Sequence, residues 1–323
     1  MKVCVVGAGA IGGLLASGLA RAGHEVCLVA RGAHLEALRA KGLTFLSGEK
    51  REVFRLRASD DPAALGVQDL VFLCLKTPSI AAMLPRLQSL LARDTAVVPA
   101  INGLPWWYFY REGGRFDGQP VACLDPKGAL FRDLDPRHIL GCVVHAAAQV
   151  PEPGVVRHTA GREFLIGEPD RSRSARAERV VALMNAAGFE VKLAPDIRVE
   201  IWLKLTGNLS YNPVAALALA HMDDIHGNPG LLALIRSLIE ETMRVAEAYG
   251  VRVPITVDER IAIAKKLAGA KISMHQDVER RRPLEVDAIV GAVVELARKA
   301  GVATPMTDAV YALIAERAKH LDR

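Results

Sequence analysis

Aromatic residues are scarce in this 323-residue sequence, at 5% of the chain. A protein that reads nucleic acid by stacking bases needs more aromatic platforms than that. The net charge of +5 is spread along the chain rather than gathered in a basic tail, so it supplies no electrostatic footprint for nucleic acid either. There are only five cysteines, and none forms a C-x-x-C pair. Cys4, Cys27 and Cys74 lie in apolar runs, the setting of reduced, buried thiols, which points to the cytoplasm. No stretch offers the roughly 18 continuous apolar residues of a membrane span. The uncharged stretch from Val3 to Ala20 comes nearest and resembles a signal peptide, but Gly7, Gly9, Gly12, Gly13 and Gly18 would weaken an apolar helix there. Internal repeats and low-complexity segments are also missing, and no Ser-His-Asp or Cys-His arrangement suggests a hydrolase. What is present, 51% apolar and 24% charged residues, is the balance of a soluble globular protein of about two domains.

The first half alternates short apolar runs with helical patterns, the signature of βαβ units and a parallel sheet. Strands are predicted at 3–6, 26–30, 44–46, 53–56, 70–75, 96–101 and 121–124, with a helix over 11–22. Further β-type runs fill 141–166 around a turn at Pro151-Glu152-Pro153-Gly154. Beyond Ala194 apolar residues recur at spacings of three and four over 196–211, 229–249, 255–267, 283–300 and 307–319, which predicts helices. The expected fold is therefore α/β, a Rossmann-type dinucleotide-binding domain over 1–194 followed by an all-helical substrate domain over 195–323.

Gly7-Ala8-Gly9-Ala10-Ile11-Gly12 matches G-x-G-x-x-G between a strand and a helix. Glycines there allow a tight turn, a close approach of backbone to pyrophosphate and tight helix packing, while the helix N-terminus faces the phosphates. Gly7, Gly9, Ala10, Ile11 and Gly12 are thus candidate cofactor contacts. The end of the second strand, Val29-Ala30-Arg31-Gly32, lacks the acid that holds the ribose hydroxyls of NAD. Arg31 instead offers a guanidinium suited to a 2′-phosphate, which favours NADPH. Lys76 and Asn102-Gly103 follow two further strands, at the carboxyl ends where open parallel sheets bind ligands.

In the helical half, Lys204, Asn208 and Asn212 recur at steps of four and share one face of a helix whose neighbours Leu203, Leu205 and Leu209 are apolar. Asparagine is a poor helix former, so two on one face suggest a lined cleft rather than a plain surface. Hydride transfer to a ketone develops negative charge on oxygen; a lysine ammonium can stabilise that charge and deliver the proton. Ser273-Met274-His275-Gln276-Asp277 reads as a polar loop leading into a helix that contains Glu285.

The ordered set Gly-Ala-Gly-Ala-Ile-Gly-Gly, Arg31, Leu75-Lys76, Asn102-Gly103, Pro153-Gly154-Val155-Val156-Arg157-His158, Lys204-x₃-Asn208-x₃-Asn212-Pro213 and Ser273-Met274…Asp277…Glu285-Val286-Asp287 resembles the ketopantoate reductase (2-dehydropantoate 2-reductase) family almost end to end. The resemblance implies two domains with the active site in the cleft between them, and NADPH-dependent reduction of 2-dehydropantoate to pantoate in pantothenate biosynthesis. It implies that Lys204 is the general acid. It also implies that Asn208, Asn212, Ser273 and Glu285 bind the substrate or orient the lysine, with Asn102 and Lys76 at the nicotinamide and its ribose. Alternatives are the same chemistry on another, bulkier 2-oxo acid, or a non-catalytic NADPH sensor. The expected partner is a small 2-oxo acid, with no nucleic acid or membrane, in a monomer or homodimer.

One departure is the run Trp106-Trp107-Tyr108-Phe109-Tyr110, which either shapes a substrate pocket or packs the next helix into its domain. His221, Asp223, Asp224 and His226 resemble metal ligands but fall in a connection between helices, so they read as a solvated turn and no metal is expected. Glu279-Arg280-Arg281-Arg282 reads as a solvated loop or helix face, the alternative being that it helps draw in an anionic cofactor or substrate.

Overall fold

The computed structural model describes residues 1–267, 269 and 271–321; of the expected domain 195–323, residues 268, 270, 322 and 323 lie outside the described residues. The chain forms two compact units. The first contains residues 1–101, 110–112 and 128–197, and the second contains 102–109, 113–127 and the described residues from 198 on.

Ten strands form in the first unit: β1 (Lys2–Val6), β2 (Glu25–Val29), β3 (Leu43–Ser47), β4 (Lys50–Phe54), β5 (Arg57–Ser59), β6 (Leu70–Leu73), β7 (Ala96–Pro99), β8 (Gly141–Glu152), β9 (Val155–Gly167) and β10 (Glu190–Leu193). One sheet is wholly parallel, in the order β5-β2-β1-β6-β7. Its chain order reverses at β1, the switch point at which doubly wound sheets bind ligands. The other sheet is mixed: β9 pairs with β10 and β3 in parallel and with β8 antiparallel, and β3 continues to β4. The helix α1 (Ala10–Arg21) packs against both sheets, and every residue from Gly12 to Leu19 is buried. A helix covered on all sides needs no polar face. That burial accounts for the signal-like appearance of the first twenty residues. Gly13 lets α1 approach β9, because a Cβ there would overlap the Val156 side chain.

The remaining helices of this unit include α2 (Gly32–Lys41), α3 (Thr77–Leu87), α4 (Ala129–Asp133) and α5 (Ala175–Ala186). The arginine-rich stretch before α5 is organised by ion pairs. Arg176 holds the buried Glu168 carboxylate by two hydrogen bonds at 2.7 and 2.6 Å, and Arg171 pairs with Asp196 at 2.7 Å.

The second unit is helical, with α6 (Ile197–Ala218), α7 (Met222–Gly227), α8 (Pro229–Ala248), α9 (Val257–Lys265), α10 (Ser273–Glu279), a π-helical turn over Asp287–Gly291, α11 (Ala292–Ala300) and α12 (Pro305–Lys319). Glu241 on α8 is buried and accepts the N–H groups of Met306 and Thr307 at 3.1 and 2.8 Å, so a carboxylate satisfies the start of α12. Among the described residues no helix is long and apolar enough to cross a membrane.

Four local expectations are overturned. Val121–Leu124 forms a turn over residues 122–124, not a strand. Its amides are taken by the Glu295 side chain, which accepts from Ala122 and Cys123 at 2.9 and 2.7 Å, so no sheet partner is required. Residues 273–279 form a short helix rather than a polar loop, because Met274, His275 and Val278 bury one face. Residues 222–227 are also helical, with His221 as the N-cap: Asp224 accepts the His221 N–H at 2.8 Å, and Asp223 accepts the N–H of Gly269 at 2.7 Å. Helix α6 runs on past Pro213 to Ala218, beyond the predicted end at 211.

Candidate functional site

In the first unit the turn from β1 into α1 is built by backbone. Gly7 sits at φ +98°, and its N–H donates to Val29 O at 2.9 Å, joining the turn to β2. A Cβ at Gly7 would meet Cys74 O at 2.8 Å, and one at Gly12 would overlap Gly7 O. Both glycines are therefore required by close backbone packing. At Gly9 the situation is the reverse: a Cβ would find nothing within 4 Å, and the residue is exposed as the N-cap of α1. No side chain caps that helix and its first turn carries no acid. Gly9, with the half-buried Ala10 and Ile11, presents a helix N-terminus to space at the carboxyl end of β1, the geometry that accepts a pyrophosphate.

Arg31 stands exposed just beyond β2 as the N-cap of α2. Lys76, half-buried, caps α3 after β6. These positions and the glycine turn fit a dinucleotide: amides for the pyrophosphate, a guanidinium near where an adenosine ribose lies, and an ammonium at the next strand end.

Sequence reasoning missed His34, on the first turn of α2. Its Nε2 donates to Ala8 O at 2.7 Å and its Nδ1 accepts the Gly154 N–H at 3.0 Å. A ring that accepts at Nδ1 and donates at Nε2 is neutral. Burial agrees, holding the imidazole pKa below its ordinary value. The histidine thus ties the glycine turn to the β8–β9 hairpin. Only the spacing of two turns in the fold brings these groups together.

In the second unit three candidates meet. Lys204 Nζ donates to Asn102 Oδ1 at 2.7 Å, and Asn102 Nδ2 donates to Glu285 Oε2 at 3.3 Å. All three are half-buried. The amide of Asn102 is oriented by both neighbours, its oxygen towards an ammonium and its nitrogen towards a carboxylate. Asn208, half-buried, and Asn212, buried, continue the Lys204 face of α6 one and two turns on. Ser273 is not drawn into the Lys204–Asn102–Glu285 chain; it stands exposed on the first turn of α10.

Two contacts fix the Asn102 strand end against the π-helical turn that follows Glu285. Leu104 N–H donates to Ala288 O at 2.8 Å, and Gly103, at φ +82°, passes so close that a Cβ would overlap that same carbonyl. π-Turns recur at functional sites because they shift the register of a helix.

The aromatic run completes the frame. Trp106, Trp107, Tyr108 and Phe109 are all buried. Tyr108 accepts the Trp202 indole N–H at its hydroxyl, at 2.7 Å, and accepts from Arg198 Nε at its carbonyl, at 2.9 Å. Its ring stands edge-on to those of Phe109, Trp202 and Tyr249. Tyr108 thus packs the segment that carries Asn102 onto α6, two residues before Lys204.

Two family models match the chain: "Ketopantoate reductase PanE/ApbA" over residues 3–108 and "Ketopantoate reductase PanE/ApbA C terminal" over residues 196–318. A 2-dehydropantoate 2-reductase of Mesorhizobium japonicum is 44% identical over 97% of this chain and 97% of its own. A candidate ketopantoate reductase from Ralstonia solanacearum MolK2 superposes with a TM-score of 0.95 at 36% identity, covering 99% of this chain and 98% of that one. A D-mandelate dehydrogenase with NADH and anilino(oxo)acetate, at 21% identity and a TM-score of 0.86 over the full length of both chains, shares the fold. The glycine turn, the Lys204–Asn102–Glu285 chain and these similarities converge: the chain belongs to the ketopantoate reductase family, oxidoreductases that use a nicotinamide dinucleotide.

Proposed function

We propose that the protein reduces 2-dehydropantoate to pantoate with NADPH, the first unit serving the cofactor and the second, which includes Asn102, serving the substrate. The observation that carries this reading is the hydrogen-bonded chain Lys204–Asn102–Glu285. When bound, the reduced nicotinamide supplies a hydride to the ketone carbon. As charge gathers on the ketone oxygen, Lys204 Nζ stabilises it and passes it a proton, yielding the 2-hydroxy acid. Asn102 aims the ammonium, and Glu285 fixes Asn102 so that its oxygen, not its nitrogen, faces the lysine. Asn208, Asn212 and Ser273 hydrogen-bond the substrate's polar groups without adding charge. Arg31 takes the 2′-phosphate, Lys76 the nicotinamide ribose, and Gly7, Gly9, Ala10, Ile11 and Gly12 the pyrophosphate. The burial of residues 106–109 supports the reading in which the aromatic run packs its domain.

Steady-state oxidation of NADPH against a panel of 2-oxo acids tests the reading, with 2-dehydropantoate expected to give the highest kcat/KM. Lys204→Ala is expected to lower kcat by roughly 10²–10⁴-fold while NADPH still binds. Turnover of another acid in preference, or unchanged kcat in the variant, overturns it.

A further inference from the structure

A cavity in the first unit takes no part in the mechanism above. It measures about 350 Å³, within the roughly 300–1,000 Å³ of small-molecule sites. It lies on the face of the mixed sheet turned away from α1. Its floor is Thr44 on β3, in register with Val53 on β4 and Val155 on β9. Strand alternation sets this face: Leu43, Phe45 and Phe54 pack into the core shared with α1, so Thr44 and Val53 point the other way. The end of α2 and the β8–β9 turn form walls, and two glycines let them close in. Gly42 lies at φ +80°, where a Cβ would meet Phe54 O at 2.7 Å. Gly154 also lies at φ +80°, and a Cβ there would meet Ala37 Cβ at 2.9 Å.

Charge around this cavity is one-sided. Lys41, Arg51 and Arg55 line it against a single carboxylate, Glu152. The acid of β4, Glu52, points to the opposite face and is paired there with Arg21. Neither Lys41 nor Arg51 forms an ion pair among the described residues. The C-terminus of α2 would oppose an anion, but two of its carbonyls are already taken. Arg55 donates to Ala40 O at 2.8 Å, and the Gly42 N–H donates to Leu38 O at 2.9 Å. Val53 remains 49% exposed on the floor, an apolar surface left for the body of a ligand.

The same wall reaches the glycine turn in two hydrogen bonds. Gly154 donates its N–H to His34 Nδ1 at 3.0 Å, and His34 Nε2 donates to Ala8 O at 2.7 Å. Gly154 O in turn accepts the Thr44 N–H at 2.8 Å. Helix α2 also joins the two places, running about 15 Å from its N-cap Arg31 to Lys41 at the cavity.

We propose that this cavity is a regulatory site for a small organic dianion with a short apolar body, and that its occupancy tightens dinucleotide binding at the glycine turn. Two negative charges match the surplus of two cations, and Val53 and Val155 meet the apolar part. A dianion held by Lys41 and Arg51 joins α2 to β4 around the cavity and fixes the wall at Gly154. His34 then keeps Ala8 in place. The coupling rests on the glycine turn holding the cofactor; the site itself does not. A dicarboxylate and a phosphate monoester share the required chemistry.

The test titrates glutarate and phenyl phosphate, with the neutral diamide of glutarate as control, by calorimetry in phosphate-free buffer. It compares the wild type, the double variant Lys41→Gln/Arg51→Gln and His34→Gln. The wild type is expected to bind a dianion with Kd below about 1 mM and to leave the diamide unbound. The double variant, changed only at exposed residues, should bind it at least roughly 10-fold more weakly and keep its affinity for NADPH. Saturating dianion should lower the wild type's Kd for NADPH roughly 5- to 10-fold. His34→Gln should bind the dianion as the wild type does, without that gain. Preference for phenyl phosphate assigns the site to phosphate esters, and preference for glutarate to dicarboxylates. Absence of dianion binding, equal binding by the double variant or equal binding of the diamide overturns the site. Dianion binding that leaves NADPH affinity unchanged or weaker overturns the coupling and keeps the site. A wild type that binds the dianion but no NADPH overturns the cofactor reading and keeps the site.

Discussion

The two units carry chemically different kinds of site. The first unit's glycine turn is made of backbone, confined to residues 7–12, and depends on the absence of side chains at Gly7 and Gly12. The second unit's hydrogen-bonded chain is made of side chains from residues 102, 204 and 285, with Asn102 and Glu285 separated by 183 positions. A backbone site leaves a compact signature, because a glycine is needed wherever a Cβ would collide. A side-chain site leaves isolated polar residues whose meaning depends on which segments the fold brings together. Local sequence is therefore a sharp guide to the first and a blunt one to the second.

Substitutions can break or sharpen that contrast. The largest effect is expected from Gly12→Ala, whose added methyl overlaps Gly7 O and leaves the turn no way to close. NADPH binding followed by nicotinamide fluorescence should be lost, whereas titration to saturation as in the wild type would refute the backbone account. Next comes Arg31→Ala, which removes a side chain but no backbone. It should raise KM for NADPH by roughly 10–100-fold and that for NADH little; equal effects on both cofactors would show that Arg31 does not read the 2′-phosphate.

Tyr108→Phe probes the brace of the second unit. It leaves the buried Trp202 N–H without its 2.7 Å acceptor, at a cost of about 1–3 kcal/mol. A lower urea midpoint together with a reduced kcat is expected; a lower midpoint alone would show that the brace stabilises the fold without orienting Asn102. The smallest effect is expected at His34. Its pKa is lowered in the folded protein, so its contribution is complete above the ordinary imidazole range near 6.5 and is lost as pH falls through the depressed value. Protonation forfeits the acceptor for Gly154 N–H. His34→Gln should weaken NADPH binding by roughly 2- to 10-fold at neutral pH and flatten the acid limb of the binding profile. An acid limb identical to that of the wild type would assign the titration to another group.

Much of the parallel sheet was legible because its strands are buried on both faces and read as continuous apolar runs bounded by turns. The run at Val121–Leu124 has the same appearance and is no strand, since apolar residues in a buried turn look alike in one dimension. The short helices at 222–227 and 273–279 escaped notice because fewer than two turns give periodicity too little length to register. The Lys204 stripe was legible as a pattern on one helix, and Asn102 as a strand end. That an amide would link lysine to Glu285 was not, nor was the use of the aromatic run, which packs onto residues nearly a hundred positions away.

By itself the sequence determined the two kinds of architecture, the glycine turn and the family, because each rests on periodicity, close packing or short motifs encoded within a few residues. Only the tertiary structure decided which polar groups touch. Hydrogen bonds between distant side chains depend on where the backbone carries them, and that position is a property of the whole packed chain.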